Sequence, residues 1–207
     1  MRQLIYVPVI HSEADMGTVA EPHKKEITDQ FGVCVWNEHI KAVDEMWEGI
    51  RKRLGSLHVD HSKVRVYQDG LPVCGREMNI VRDVAAQGSQ NHRLVLSLVE
   101  RGASLEGTED VQLLLEEYHY IQAITSEPEP AERRRKAKSL SRQRKRLLCQ
   151  RDRFMAQRID ETLKKGETGI LFAGIAHRID KYLPKDISVS YLIFRLPFKK
   201  LRQNECL

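Results

Sequence analysis

The chain has no apolar run of the roughly 18 residues that a membrane-spanning helix needs. The apolar stretch at residues 4–10 is shorter than a secretory signal and lacks its small-residue cleavage site. Cysteine is also scarce and has no C-x-x-C spacing, so we expect reduced thiols at Cys34, Cys74, Cys149 and Cys206. These absences predict a cytoplasmic protein with no membrane partner.

Several nucleotide-binding and catalytic motifs are missing as well. The sequence contains no G-x-G-x-x-G, no G-x-x-x-x-G-K-[ST], no G-x-S-x-G and no H-E-x-x-H. Each of these motifs places a phosphate cradle, a nucleophile or a zinc-binding pair on one local element. Their absence argues against a dinucleotide dehydrogenase, a P-loop enzyme, an α/β-hydrolase and a zincin.

Basic residues exceed acidic residues by 34 to 29, but the excess lies in one segment. Residues 131–153 contain eleven Lys or Arg and two acidic residues, so the rest of the chain has 23 basic and 27 acidic residues. A general nucleic-acid binder more often spreads its positive charge over a face of the fold. We therefore interpret the charge as a local feature of one helix and do not favour nucleic acid as the partner.

Apolar periodicity predicts alternating strands and helices. Residues 4–10 and 168–173 are apolar on both alternating faces, which is typical of central parallel strands. Shorter strand patterns occur near residues 64–67, 101–105 and 187–196, and helical spacing separates them. The sequence therefore predicts an α/β fold with a largely parallel central sheet flanked by helices, and with one long basic helix before the penultimate strand. We expect a single domain over 1–207, with a basic helical segment around 127–150 projecting from it.

Polar side chains follow the predicted strands where each strand ends. His11 follows the first strand, Asp69 the second, Glu109 the third after a short turn, and His177 the strand that ends at Gly174. The carboxyl ends of parallel strands share one edge of a sheet, so these four side chains are expected to converge there. Two imidazoles and two carboxylates suit a divalent metal or acid–base chemistry. The alternative, that each is an ordinary loop or capping residue, stays open.

The remaining histidines lie in predicted helices or polar turns with no paired ligand, and we assign them no site role: His23, His39, His58, His61, His92 and His119.

The C-terminal part of the chain resembles a known superfamily. Residues 150–156 read QRDRFMA, residues 169–177 read GILFAGIAH, and Tyr182-Leu183 follows. Over residues 149–183 this is similar to the TraB/Tiki/ChaN/erythromycin-esterase superfamily, whose members pair two GxxH-like elements with an RDxxMA-like helix. The second GxxH element is intact at residues 174–177, whereas the first reads PVIH at residues 8–11.

The resemblance implies a set of site residues. His11 and His177 match the two paired histidines, Asp69 the carboxylate after an early strand, and Arg151 the helix arginine. From the residues alone, Arg151 lies on the apolar stripe of its helix and should point inward. Its partner is then either a carboxylate or anionic substrate in the site, or a structural acidic residue.

Our leading hypothesis is a metal-dependent hydrolase, or a ligand-binding relative of one, acting on an unidentified small molecule or peptide. His11, His177 and Asp69 would hold a divalent metal of unspecified identity, with Glu109 or Glu13 as proton acceptor. One alternative is a non-enzymatic binding or assembly protein whose basic helix contacts an anionic partner such as nucleic acid. A third is a homodimer formed through the long helix.

Overall fold

The computed structural model describes residues 1–16 and 20–195. Five parallel strands form one sheet in the order β3-β2-β4-β1-β5. The strands are β1 (Arg2–Val9), β2 (Val64–Gln68), β3 (Ser104–Glu106), β4 (Thr168–Gly174) and β5 (Ile187–Tyr191). The helices are α1 (Glu13–Met16), α2 (Ala20–Phe31), α3 (Val33–Gly55), α4 (Glu77–Ala86), α5 (Gln90–Glu100), α6 (Val111–Thr125), α7 (Pro130–Ser139) and α8 (Ser141–Thr162). The predicted α/β fold with a parallel sheet is thus confirmed.

The two strands with apolar residues on both faces lie inside the sheet. β4 pairs with β1 on one side and β2 on the other, and β1 in turn pairs with β5. Both faces of a parallel sheet are covered by helices, so an inner strand needs apolar side chains in both directions. β5, predicted as the last strand, lies at an edge.

Separate hydrophobic cores cover the two faces of the sheet. On one face, α3, α4 and α5 pack on alternate residues of the strands, with Trp47 against Phe172. On the other face, α8 packs Met155 and Ile159 against the intervening residues of the same strands. The period-2 alternation of each strand therefore assigns its residues to the two helical layers.

The helices between β3 and β4 form an arm, which we define as α6, α7 and α8 up to Arg146. Neither α6 nor α7 has a buried residue, and the first buried residue of α8 is Leu147. The sequence predicted one long basic helix here, with its pattern resuming near Leu140. The structure instead has two helices, α7 and α8, with Leu140 between them.

Thr108 precedes an apolar helical pattern, so the sequence predicts it as the N-cap of α6, but the structure has another residue there. Thr108 has the right residue type, but its hydroxyl donates to the carbonyl oxygen of Gln68. Asp110 caps the helix, because its Oδ1 accepts from the amides of Gln112 at 2.8 Å and Leu113 at 3.0 Å. The Thr108 hydroxyl links the chain after β3 to the end of β2. An N-cap would use the same hydroxyl, so the residue type alone does not distinguish the two roles.

The structure bears on disulfides and on membrane-spanning helices within the residues that it describes. Cys34, Cys74 and Cys149 are free thiols, as expected, while Cys206 lies outside the described residues. None of the helices in residues 1–16 and 20–195 combines the length and apolar character needed to cross a membrane.

Gly169 in β4 tests how tightly the sheet packs against α8. A Cβ at this position would lie 2.6 Å from Cδ1 of Leu4 and 3.1 Å from Cε2 of Tyr67. We expect Gly169→Ala to lower the free energy of unfolding by about 1–3 kcal/mol, because the core must shift to admit a methyl group. Gly55→Ala is the matched control, since no atom lies within 4 Å of its added Cβ. Urea denaturation measures both variants, and equal stability would contradict the tight packing.

Candidate functional site

The carboxyl edge of the sheet brings three of the predicted residues together. The Nε2 atom of His11 lies 3.2 Å from Oδ2 of Asp69, and Nε2 of His177 lies 3.6 Å from the same oxygen. His11 and His177, distant in sequence, are therefore close in space. We call His11, Asp69 and His177 the edge cluster.

Asp69 is almost completely buried and is held by several donors. The amide of Gly174 donates to Oδ2 at 2.6 Å, and Nε2 of Gln68 donates to Oδ1 at 2.9 Å. Burial alone would raise the pKa of Asp69, but the charge and hydrogen bond of His11 outweigh it and hold that pKa well below its usual range. Asp69 is thus a fixed carboxylate.

His11 is partly open to the cavity, and its charge state follows from Asp69. The Asp69 carboxylate raises the pKa of His11 to about 9, against the opposing effect of burial. In the absence of another cation, His11 therefore carries a proton at neutral pH. Its nitrogen and the Asp69 oxygen form an ion pair.

Gly174 fits closely between the two groups of this ion pair. A Cβ at Gly174 would lie 3.2 Å from Nε2 of His11 and 3.3 Å from Oδ2 of Asp69. The first residue of the intact GxxH element is therefore a position where a side chain would press on the edge cluster.

Asp152 orients His177 from behind. Its Oδ1 lies 2.6 Å from Nδ1 of His177, and its Oδ2 accepts from the amide of Arg178 at 2.9 Å. A proton on Nδ1 directed at Asp152 leaves Nε2 of His177 facing Asp69. Asp152 is not among the site residues that the sequence predicted. Helical spacing could have found it, because Asp152, Met155, Ala156 and Ile159 form one buried stripe of α8.

Arg151 is 5% exposed and is bound by two glutamates. Its Nε lies 3.1 and 3.2 Å from the two oxygens of Glu109, and its Nη1 donates to Glu117 of α6. Burial alone would lower the pKa of Arg151. The hydrogen bonds and charge of Glu109, together with the charge of Glu117, outweigh burial and raise this pKa above its usual value. The inward orientation is confirmed, and the partners of Arg151 are acidic residues of the chain.

The structure places Glu109 beside the edge cluster, but it does not describe the Glu13 side chain. The Glu109 side chain is completely buried against Arg151, and its Oε1 also accepts from the amide of Gly70 at 3.2 Å. Glu109 thus contacts the residue next to Asp69. Glu13 begins α1, and its side chain lies outside the described part of the structure.

A cavity of about 630 Å³ opens over the edge cluster. Its walls come from the strand ends, α1, α4, α6 and α8, and its size is typical of a small-molecule site. The apolar residues of these walls include Ile80, Val84, Leu114, Ile121 and Leu148.

The polar residues of the cavity are mostly acidic or already paired. Asp15 of α1 and His92 of α5, which were not among the predicted site residues, line the cavity together with Glu117 and Arg151. Oδ1 of Asp15 lies 3.3 Å from Nδ1 of His92 and accepts from the buried hydroxyl of Ser89. Ser89 is also the N-cap of α5, so this group fixes the wall of the cavity.

Neither a preformed metal-ligand group nor a known relative identifies the site. Among the side chains that the structure describes, no group of three or more His, Cys, Asp or Glu is already arranged to hold a metal ion. No family model, curated protein or solved structure matches the chain. The geometry of the edge cluster is therefore the basis for a functional proposal.

Replacing Arg151 tests the buried ion pair. We expect Arg151→Ala to lower the free energy of unfolding by about 3 kcal/mol, because it leaves the buried Glu109 carboxylate without its cation. Arg142→Ala on the exposed part of the same helix should stay within about 0.5 kcal/mol of the wild type. Chemical denaturation compares them, and an Arg151→Ala protein as stable as the control would contradict the assigned role.

Proposed function

We propose that the protein is a metal-dependent hydrolase whose reaction centre is the edge cluster. The observation that carries the proposal is the approach of two imidazole nitrogens to one buried carboxylate oxygen, at 3.2 and 3.6 Å, beside a cavity. Two nitrogens and one oxygen are a donor set that catalytic zinc-type sites use.

The hydrogen bonding of His177 supports a cation at this place. With Nδ1–H directed at Asp152, the Nε2 of His177 faces Asp69 Oδ2 at 3.6 Å. A lone pair opposite a carboxylate oxygen is stabilised only by a proton or a metal cation between them. Because His11 and Asp69 form an ion pair without metal, a divalent cation would displace the proton that His11 holds.

Such a cation would supply an activated water to a substrate in the cavity. The chain's own residues would orient the ligands of the cation. Asp152 holds the His177 ring in place, and Gly174 and Gln68 fix the Asp69 carboxylate. Arg151 and Glu109 act as positioning residues, because Glu109 binds the amide of Gly70 next to Asp69. The apolar walls of α4 and α6 would exclude bulk water.

The cavity also favours one kind of substrate. The Arg151 guanidinium is neutralised by Glu109 and Glu117, so it offers no free positive charge to an anionic group. The His11 proton, or the cation that would replace it, offsets the charge of Asp69, but Asp15 and Glu117 line the same cavity and would repel such a group. An uncharged small molecule or peptide is the substrate class that fits.

The superfamily resemblance supports the same proposal. Arg151, Asp152, Gly174 and His177 all belong to the similar segment of residues 149–183. His177 is part of the edge cluster, Asp152 and Gly174 contact it, and Arg151 binds Glu109, which accepts from the amide next to Asp69. A segment recognised from its sequence pattern thus contributes four neighbouring groups to one site.

Elemental analysis tests the metal. We expect the purified wild-type protein to bind about one Zn²⁺ per chain, as measured by plasma emission and by calorimetric titration, because Nε2 of His11 and Nε2 of His177 both approach Oδ2 of Asp69. His11→Ala and His177→Ala should lose this binding, while His58→Ala, an exposed histidine on a turn, should retain it. Hydrolysis of a panel of uncharged esters and peptides should stop on chelation and return with Zn²⁺. A wild type that binds no metal, or a His58→Ala protein that loses it equally, would overturn the proposal.

Asp152 gives a second test. We expect Asp152→Asn to weaken Zn²⁺ affinity by about 10–100-fold while leaving one site per chain, because it removes the carboxylate that fixes the His177 ring. Asp160→Asn, on the exposed face of the same helix, should leave the affinity unchanged. Competition with a chromogenic chelator measures both, and unchanged affinity in Asp152→Asn would show that His177 is not a ligand.

A further inference from the structure

Five exposed cations occupy the outer part of the arm. Arg134 and Lys138 are four residues apart on α7, and Arg142, Lys145 and Arg146 are three or four residues apart on α8. Residues with these spacings share a helix face. Leu140, with φ −84° and ψ −3°, joins the two helices in the right-handed region. We call these five cations, Arg134, Lys138, Arg142, Lys145 and Arg146, the basic strip.

The basic strip, like the exposed Arg144 beside it, has no described partner, whereas three neighbouring cations of α7 do. Nζ of Lys136 binds Glu127 at 2.6 Å, Arg135 binds Glu132 at 2.6 Å, and Arg133 binds the carbonyl oxygen of Glu127 at 2.9 and 3.1 Å. These three cations stabilise the arm itself. Within the part of the chain that the structure describes, no side chain of the basic strip forms a hydrogen bond or ion pair.

The helices that carry the basic strip, unlike α6 with its exposed Val111, Leu115 and Tyr118, have little to bind a partner with except charge. Residues 130–146 expose no large apolar side chain in the structure, and α7 has no buried residue. Helices that lie in a membrane interface need a face of Trp, Phe or Leu, and protein-binding surfaces are anchored by buried aromatic groups. A polyanion with regularly spaced charges needs neither. The rest of the chain is mildly acidic, so a polyanion would meet the protein at the arm.

The charge distribution along the sequence did not favour nucleic acid, but the exposure and lack of partners of these cations do, and we propose that the basic strip binds the phosphodiester backbone of double-stranded nucleic acid without sequence preference. Neighbouring cations on one helix face are about 5–6 Å apart at Cβ, which lets successive side chains reach successive phosphates. An α-helix also fits the major groove of B-form DNA, whereas the major groove of A-form RNA is narrow. Duplex DNA is accordingly the expected form. This binding activity is independent of the proposed hydrolase site.

The salt dependence of the binding constant measures how many phosphates the basic strip neutralises. Each phosphate neutralised on B-form DNA contributes about −0.9 to the slope of log K against log salt, so five contacts predict a slope of about −4 to −5. Fluorescence anisotropy with a labelled duplex DNA, run against duplex RNA and single strands, measures this slope for the full chain. The strip variant replaces Arg134, Lys138, Arg142, Lys145 and Arg146 with Gln, and its slope should fall close to zero with at least 100-fold weaker binding at low salt.

A control with the same net charge separates the basic strip from the total charge. Gln at five exposed cations outside the arm gives this control: Lys41, Lys52, Lys63, Arg101 and Lys165. The control should keep the slope and stay within about 3-fold of wild-type affinity. Circular dichroism checks folding. If the strip variant unfolds, the double variant Arg134→Gln with Lys138→Gln should still reduce the magnitude of the negative slope by about 2.

Three outcomes would overturn the proposal. They are absence of duplex binding by the wild type near 100 mM salt, an equal loss in the strip and control variants, and binding only to vesicles that contain phosphatidylserine. The last outcome would assign the basic strip to a membrane surface. Zn²⁺ content of the strip variant should equal that of the wild type, so failure of this proposal is separable from failure of the hydrolase proposal.

Discussion

A charged guanidinium stays inside this fold because Glu109 and Glu117 supply Arg151 with the hydrogen bonds and negative charge that water would supply outside. Glu109 lies just before α6 and Arg151 lies within α8, so their ion pair closes the base of the arm. The same Glu109 accepts from the amide of Gly70, the residue after Asp69. The position of the arm and the position of the Asp69 carboxylate are therefore fixed by one interaction. Removing either charge would affect both.

The sequence predicted best what hydrophobic burial controls. β1 and β4 were recognisable because inner strands need apolar residues on both faces, and parallel strands bring His11, Asp69 and His177 to one edge. Contacts that depend on tertiary packing were missed. Asp152 reads as an ordinary helix-surface acid until α8 is placed against His177, and the Glu117 contact depends on how α6 crosses α8. Charge pairing has no period, so spacing alone does not reveal the partner of Arg151.

Exposed and buried charges are separated along one helix. The first half of α8 carries Arg142, Lys145 and Arg146 in solvent, and its second half carries Arg151 and Asp152 inside the fold. An α-helix rises about 1.5 Å per residue, so roughly 10 Å of rigid backbone separates these two groups. The acidic cavity and the basic arm are thus distinct electrostatic environments on a shared element. A polyanion at the arm would meet a favourable field there and an unfavourable one at the cavity.

The absence of buried residues in α6 and α7 has a consequence for the stability of individual backbone amides. A helix that buries little apolar surface opens at a small free-energy cost, whereas β4, buried on both faces, opens only when the whole domain unfolds. Amide hydrogen exchange would therefore divide the chain into a slowly exchanging sheet and rapidly exchanging outer helices. The boundary between them falls at Glu109 and Arg151, which makes the outer helices a separate cooperative unit of unfolding.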